Sequence, residues 1–117
     1  MTESLHEVAH VQPEGHLRKS WFAARDCELF VWEDATGAIV AFQFCFEAKR
    51  GREAVEWRAG HEVHHAEVEE TSVVMKNRTH TLRFDNAERK AEALAVFERI
   101  CATLPHHIAE MVRGRLT

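Results

Sequence analysis

The stretch Glu28-Leu29-Phe30-Val31-Trp32-Glu33, Asp34-Ala35-Thr36-Gly37, Ala38-Ile39-Val40-Ala41-Phe42-Gln43-Phe44-Cys45-Phe46 reads as two β-strands joined by a tight turn, with Gly37 supplying the positive φ that a short connection needs. The second strand is apolar on both faces. Val40, Phe42, Phe44 and Phe46 point one way and Ile39, Ala41 and Cys45 the other, so it is expected at the centre of a sheet covered on both sides. Gln43 breaks the pattern among the smaller side chains. A buried amide there must find partners or cost about 1–3 kcal/mol, so it is either a structural bracket or a site residue.

Working outward, Ala54-Val55-Glu56-Trp57-Arg58 continues, with an interruption at Gly60, toward Val68, and His80-Thr81-Leu82-Arg83-Phe84 alternates as a further strand. Trp21-Phe22-Ala23-Ala24 is an additional strand or the lead into the first. Short links between successive strands predict an antiparallel meander. Asp85 with Glu88 three residues on predicts the start of a helix over residues 86–103, with Ala91, Leu94, Ala95, Phe97, Cys101 and Leu104 as its apolar stripe. Pro105 ends it and opens a short second helix with Ile108, Met111 and Val112 on its apolar edge. The fold expected is α+β: an antiparallel β-meander of about four strands, then a C-terminal helix and a short second helix. Residues 1–117 form one domain, in which 1–16 read as a flexible N-terminal segment.

With 117 residues, 45% hydrophobic and 29% charged, the composition is that of an ordinary globular domain. A net charge of −4 opposes nucleic acid as a partner, and the one compact basic cluster, Lys49-Arg50-Gly51-Arg52, falls in an expected loop. No apolar run approaches a membrane span. Three cysteines at 27, 45 and 101 make an odd set without metal-ligand spacing, on apolar strands and a helix stripe, which predicts buried thiols in a reducing, cytoplasmic setting. Protonating the nine histidines outweighs the net charge of −4, so the charge crosses zero in mild acid and solubility should dip there.

The zinc-protease pattern H-E-x-x-H occurs twice, as His6-Glu7-Val8-Ala9-His10 and as His61-Glu62-Val63-His64-His65. On a helix it sets two imidazoles one turn apart on one Zn²⁺. The first copy continues to His16, but Pro13 stands where the longer metzincin pattern has a turning Gly. The second copy follows a strand. If residues 61–68 are extended, His61 and His65 stand roughly 13 Å apart and cannot share an ion. A metal could then bind only across strands, by His64 or His65 with His80.

A single helix of about 18 residues is roughly 27 Å long and covers one face of a four-stranded sheet. The face with Ile39, Ala41 and Cys45 suits its close approach. The face with Phe42, Phe44 and Phe46 then needs the short helix, the N-terminal segment or a second subunit, and a homodimer is expected. A small-molecule pocket of unknown ligand is a third possibility, with Gln43, Trp57 and Arg58 as contacts. Trp57 and Arg58 alternate, so they line one pocket only if the strand is bulged.

The strings Leu29-Phe30-Val31-Trp32, Ile39-Val40-Ala41-Phe42-Gln43-Phe44-Cys45 and Glu56-Trp57-Arg58, with His65 after them, resemble a small family of uncharacterised bacterial proteins of about this length. The resemblance covers the middle third to half of the chain. It implies no activity, and it favours a sheet over a helix for the second H-E-x-x-H copy. The chain shows no P-loop, nucleotide-binding glycine fingerprint, Ser elbow or Cys-His signature. The reading is a non-catalytic cytoplasmic protein with a binding or structural role, expected as a homodimer without a cofactor. The alternative is a zinc-binding module or metal-dependent hydrolase built on His61, His64, His65 and His80.

Overall fold

A computed structural model describes residues 5–8, 15–48, 51–68, 79–81 and 87–117. Among them seven strands form one antiparallel sheet whose spatial order is the chain order: β1 (His6–Glu7), β2 (Arg18–Ala23), β3 (Cys27–Glu33), β4 (Ile39–Ala48), β5 (Gly51–Arg58), β6 (His64–Val68) and β7 (Thr79–Thr81). Helices α1 (Ala87–Ile100) and α2 (His106–Leu116) follow. This is the expected α+β meander with two C-terminal helices. Two strands precede the expected hairpin, and the strand expected to run from Val55 toward Val68 is split in two.

Local chemistry explains the turns. Between β3 and β4 the Asp34 carboxylate accepts from the Thr36 amide (2.9 Å), the Thr36 hydroxyl (2.6 Å) and the Ala38 amide (3.1 Å), while Gly37 turns at φ 89°. These bonds, the Thr36 hydroxyl first, hold the Asp34 carboxyl below its ordinary pKa. Between β5 and β6, Gly60 adopts φ 86° and the His61 amide donates to the Arg58 carbonyl (2.9 Å). That reversal divides what the pattern reads as one irregular strand.

The helices cover the face carrying Phe42, Phe44 and Phe46, not the small-residue face, which reverses the expectation from the sequence. Register supplies the reason. Leu29, Val31 and Cys27 on β3, and Val55 and Trp57 on β5, stand opposite those phenylalanines, giving a contiguous apolar surface. Opposite Ala41, Gln43 and Cys45 stand Trp32, Phe30 and Glu28 on one side and Arg58, Glu56 and Ala54 on the other. The covered face also takes in Glu33 and Glu53, but toward the strand ends and each with a partner, His107 and Arg89, whereas Glu28, Glu56 and Arg58 flank the middle of β4, where burial would cost more.

On α1 the buried side chains are Ala93, Val96, Phe97 and Ile100, followed by Cys101; Ala91 and Ala95, placed on the expected stripe, are exposed. Alanine contributes little area, so the bulkier Val96 and Ile100 set the helix rotation. Pro105 accepts from the Ile108 and Ala109 amides at the start of α2, which buries Ile108, Ala109, Val112 and Leu116. Arg113 on α2 bonds Glu98 on α1 through Nε (3.1 and 3.0 Å). His107 Nε2 lies 3.0 Å from Glu33 and ties α2 to β3.

Part of the segment 1–16 is docked. Leu5 is 1% exposed, its amide donates to the Ile100 carbonyl (2.9 Å), and its carbonyl accepts from the Thr103 hydroxyl. Residues 1–4 and 9–14 lie outside the described residues, as do Lys49, Arg50 and the expected Asp85 cap.

Candidate functional site

The second face of the sheet is the candidate site. Strand alternation and register set its layout in rows that run across the strands. The central row is Trp21 (β2), Phe30 (β3), Gln43 (β4), Glu56 (β5) and His64 (β6). Beside it runs Lys19, Trp32, Ala41 and Arg58, and on its other side Ala23, Glu28, Cys45 and Ala54. Both helices pack on the opposite face, and among the described residues no helix covers this one.

The face has an aromatic half and a polar half. Trp21 stacks on Phe30 with centroids 5.7 Å apart and a 17° interplanar angle, and Phe30 meets Trp32 at 6.3 Å. The Lys19 ammonium lies 5.1 Å from the Phe30 centroid and 5.4 Å from that of Trp32, within cation–π range. Across Gln43, the His64 Nε2 lies 3.1 Å from a Glu56 carboxylate oxygen. At one end Arg52 bridges Glu28 (3.1 Å) and Glu47 (3.3 Å). Gln43 at the centre is half-buried, and its Nε2 donates to Cys45 Sγ at 3.5 Å, a weak acceptor.

The sequence-derived pocket residues separate. Gln43 and Arg58 share the open face. Trp57 lies on the covered one, buried against Phe42 (5.9 Å), with the Arg115 guanidinium 4.6 Å from its ring centroid. The β4–β5 pairing runs in unbroken register from Ala41↔Arg58 to Ala48↔Gly51, so no bulge brings Trp57 and Arg58 together.

The histidines also divide. His61 is exposed in the turn before β6; His64 is on the open face opposite Glu56; His65 is opposite Val55 on the covered face and 2% exposed. His64 and His65 therefore cannot ligate one ion together. The backbone of His80 pairs with Glu67, and its side chain lies outside the described residues. Among the described residues no group of three His, Cys, Asp or Glu side chains is placed to hold a metal.

His65 belongs instead to a buried charged cluster with Glu53 (1% exposed) and Arg89, whose Nη1 donates to Glu53 at 2.9 Å. Burial, the largest influence, holds the His65 ring below the usual pKa of 6.5; Glu53 draws it back up, and Arg89 pushes it further down. An unfolded chain protonates this histidine as pH falls through about 6.5, and the folded chain only at lower pH, so stability is intact above that value and declines below it. The urea midpoint is expected to drop between pH 7.5 and 5.5, and His65→Gln is expected to flatten that profile. An unchanged slope in the variant would assign the loss to other groups.

Sequence reasoning missed Trp21, Phe30 and Trp32 as site residues. Phe30 and Trp32 sit two apart on a strand whose other face, Leu29 and Val31, is already apolar. A strand too greasy for one-sided burial is the available signal. No protein-family model, curated protein or solved structure matches this chain.

Proposed function

We propose that this is a non-catalytic binding protein that works as a homodimer through the open face of its sheet. The observation that carries the reading is the aromatic cluster Trp21, Phe30 and Trp32, left only partly buried although the helices and the core lie on the other side. Partly exposed aromatics grouped on one face favour a macromolecular contact. The cysteines support a non-catalytic role: burial pushes the Cys27 and Cys45 thiols up to about 11, far from the thiolate that nucleophilic chemistry needs. Three free, buried cysteines suit a reducing compartment, and we place the protein in the cytoplasm on that ground. Among the described residues no helix is long and apolar enough to cross a membrane.

The test is sedimentation equilibrium of the untagged protein beside a Trp32→Lys variant. The wild type is expected to self-associate with concentration, and Trp32→Lys to weaken association by at least about tenfold, with its thermal midpoint within a few degrees of wild type. A wild type monomeric at every concentration would sink the homodimer. Association untouched by Trp32→Lys would move the binding face elsewhere.

A further inference from the structure

Resting on that reading, we infer that the partner on the open face is a second copy of this chain, related by a two-fold axis that runs along β4 and passes through Gln43. An isologous contact requires every group to meet the image of another on the same face. A two-fold along β4 exchanges the aromatic half for the polar half. Phe30, with the Lys19 ammonium 5.1 Å above its ring, then falls on Glu56 of the second copy, and Trp32 falls on its Arg58. Each contact occurs twice: a cation beside a carboxylate, and a guanidinium on an indole. A two-fold across the strands would set Glu56 on Glu56 and His64 on His64 in the middle of the contact, whereas the axis along β4 brings Glu47 onto its own image only at the exposed end of the strand, where Arg52 at 3.3 Å offsets its charge.

Gln43 is suited to the axis. A primary amide is self-complementary, since its N–H can donate to the carbonyl of its symmetry mate and accept the same bond in return. Among the described residues its donor meets only the thiol of Cys45, at 3.5 Å. Ala41 and Cys45 flank it along β4, and such small side chains let two sheets approach to the usual spacing of about 10 Å. Facing sheets cross at roughly 30°, which displaces contacts at the rim and leaves the position on the axis in register.

The size of the face sets the strength. Strands β2 to β6 span about 24 Å, and three rows of side chains cover about 20 Å along them, a footprint of roughly 480 Å² per copy. Two such footprints total about 1,000 Å², at the small end of specific interfaces, so a dissociation constant in the micromolar range is expected.

The experiment pairs Gln43→Glu with Gln43→Lys, read by sedimentation equilibrium and native mass spectrometry of untagged chains. Each variant alone sets like charges across the axis, and its dimer is expected to weaken about 100-fold. An equimolar mixture is expected to recover a dimer holding one copy of each, because only a residue that meets its own image turns two repulsive homodimers into one attractive heterodimer. Circular dichroism checks that each variant is folded. The direction of the axis is read separately: Glu56→Lys is expected to dissociate the dimer and Lys19→Glu combined with Glu56→Lys to restore it, a recovery that an axis running across the strands through Gln43 cannot give, and the same pair serves should either Gln43 variant fail to fold. Variants that dimerise like wild type, or a mixture or double variant that does not recover, would overturn the axis while leaving the open-face reading in place. A Trp32→Lys protein, in which the new ammonium faces Arg58 of the second copy, that associates normally, or a wild type that stays monomeric, would remove both.

Discussion

Phe44→Ala is expected to lower the folding stability by about 3–5 kcal/mol, the largest loss from any single truncation of the sheet. Phe44 is 0% exposed at the middle of β4, stacked on Phe46 at 5.3 Å and set edge-on to Phe97 of α1 at 5.5 Å and 82°. Its ring therefore joins the central strand to the helix layer, and removal opens a cavity that neither layer can close alone. Urea unfolding followed by tryptophan fluorescence measures the loss. A deficit near 1 kcal/mol would mean that α1 settles onto the sheet and fills the space.

Arg89→Met is expected to cost about 3–5 kcal/mol, by leaving the Glu53 carboxylate inside the protein without the guanidinium 2.9 Å away. The double variant Glu53→Met with Arg89→Met is expected to recover most of that, because two apolar side chains avoid the desolvation that the ion pair must offset. His65 gives an independent reading. Arg89 opposes its protonation and Glu53 favours it, so Arg89→Met should raise the His65 pKa, measurable by NMR titration of the ring. If the single and double variants were equally unstable, the packing of the Arg89 stem, not its charge, would hold this corner together.

The hairpin, its glycine turn, the helix break at Pro105 and the order of elements were legible because each is a local matter of propensity and spacing. The choice of buried face was not. Along β4 alone, three phenylalanines on one side and small residues on the other permit either arrangement. The decision lies in what β3 and β5 place opposite them, Leu29, Val31, Val55 and Trp57 against Glu28, Glu56 and Arg58, and register is a property of pairs of strands. The same limit hid the site. Trp21 becomes a neighbour of Phe30 only when β2 pairs with β3, and Glu56 reaches His64 only across the turn at Gly60. The adjacency of His64 and His65 looks like a cluster on paper, yet the pleat sends the two rings to opposite faces.

The two helices that shelter the phenylalanine face both come after the sheet in the chain. During synthesis each strand can pair with its predecessor as it appears, so the meander can assemble progressively. Its Phe42, Phe44 and Phe46 side then waits for residues 87–117 to be added, about 2–6 s at ordinary elongation rates. In that interval both faces of the nascent sheet carry aromatic rings. A ribosome-bound chain halted before α1 should therefore be a better chaperone substrate than the finished protein, and slow codons between β7 and α1 should lower soluble yield more than slow codons placed before β3, where no sheet face has yet formed.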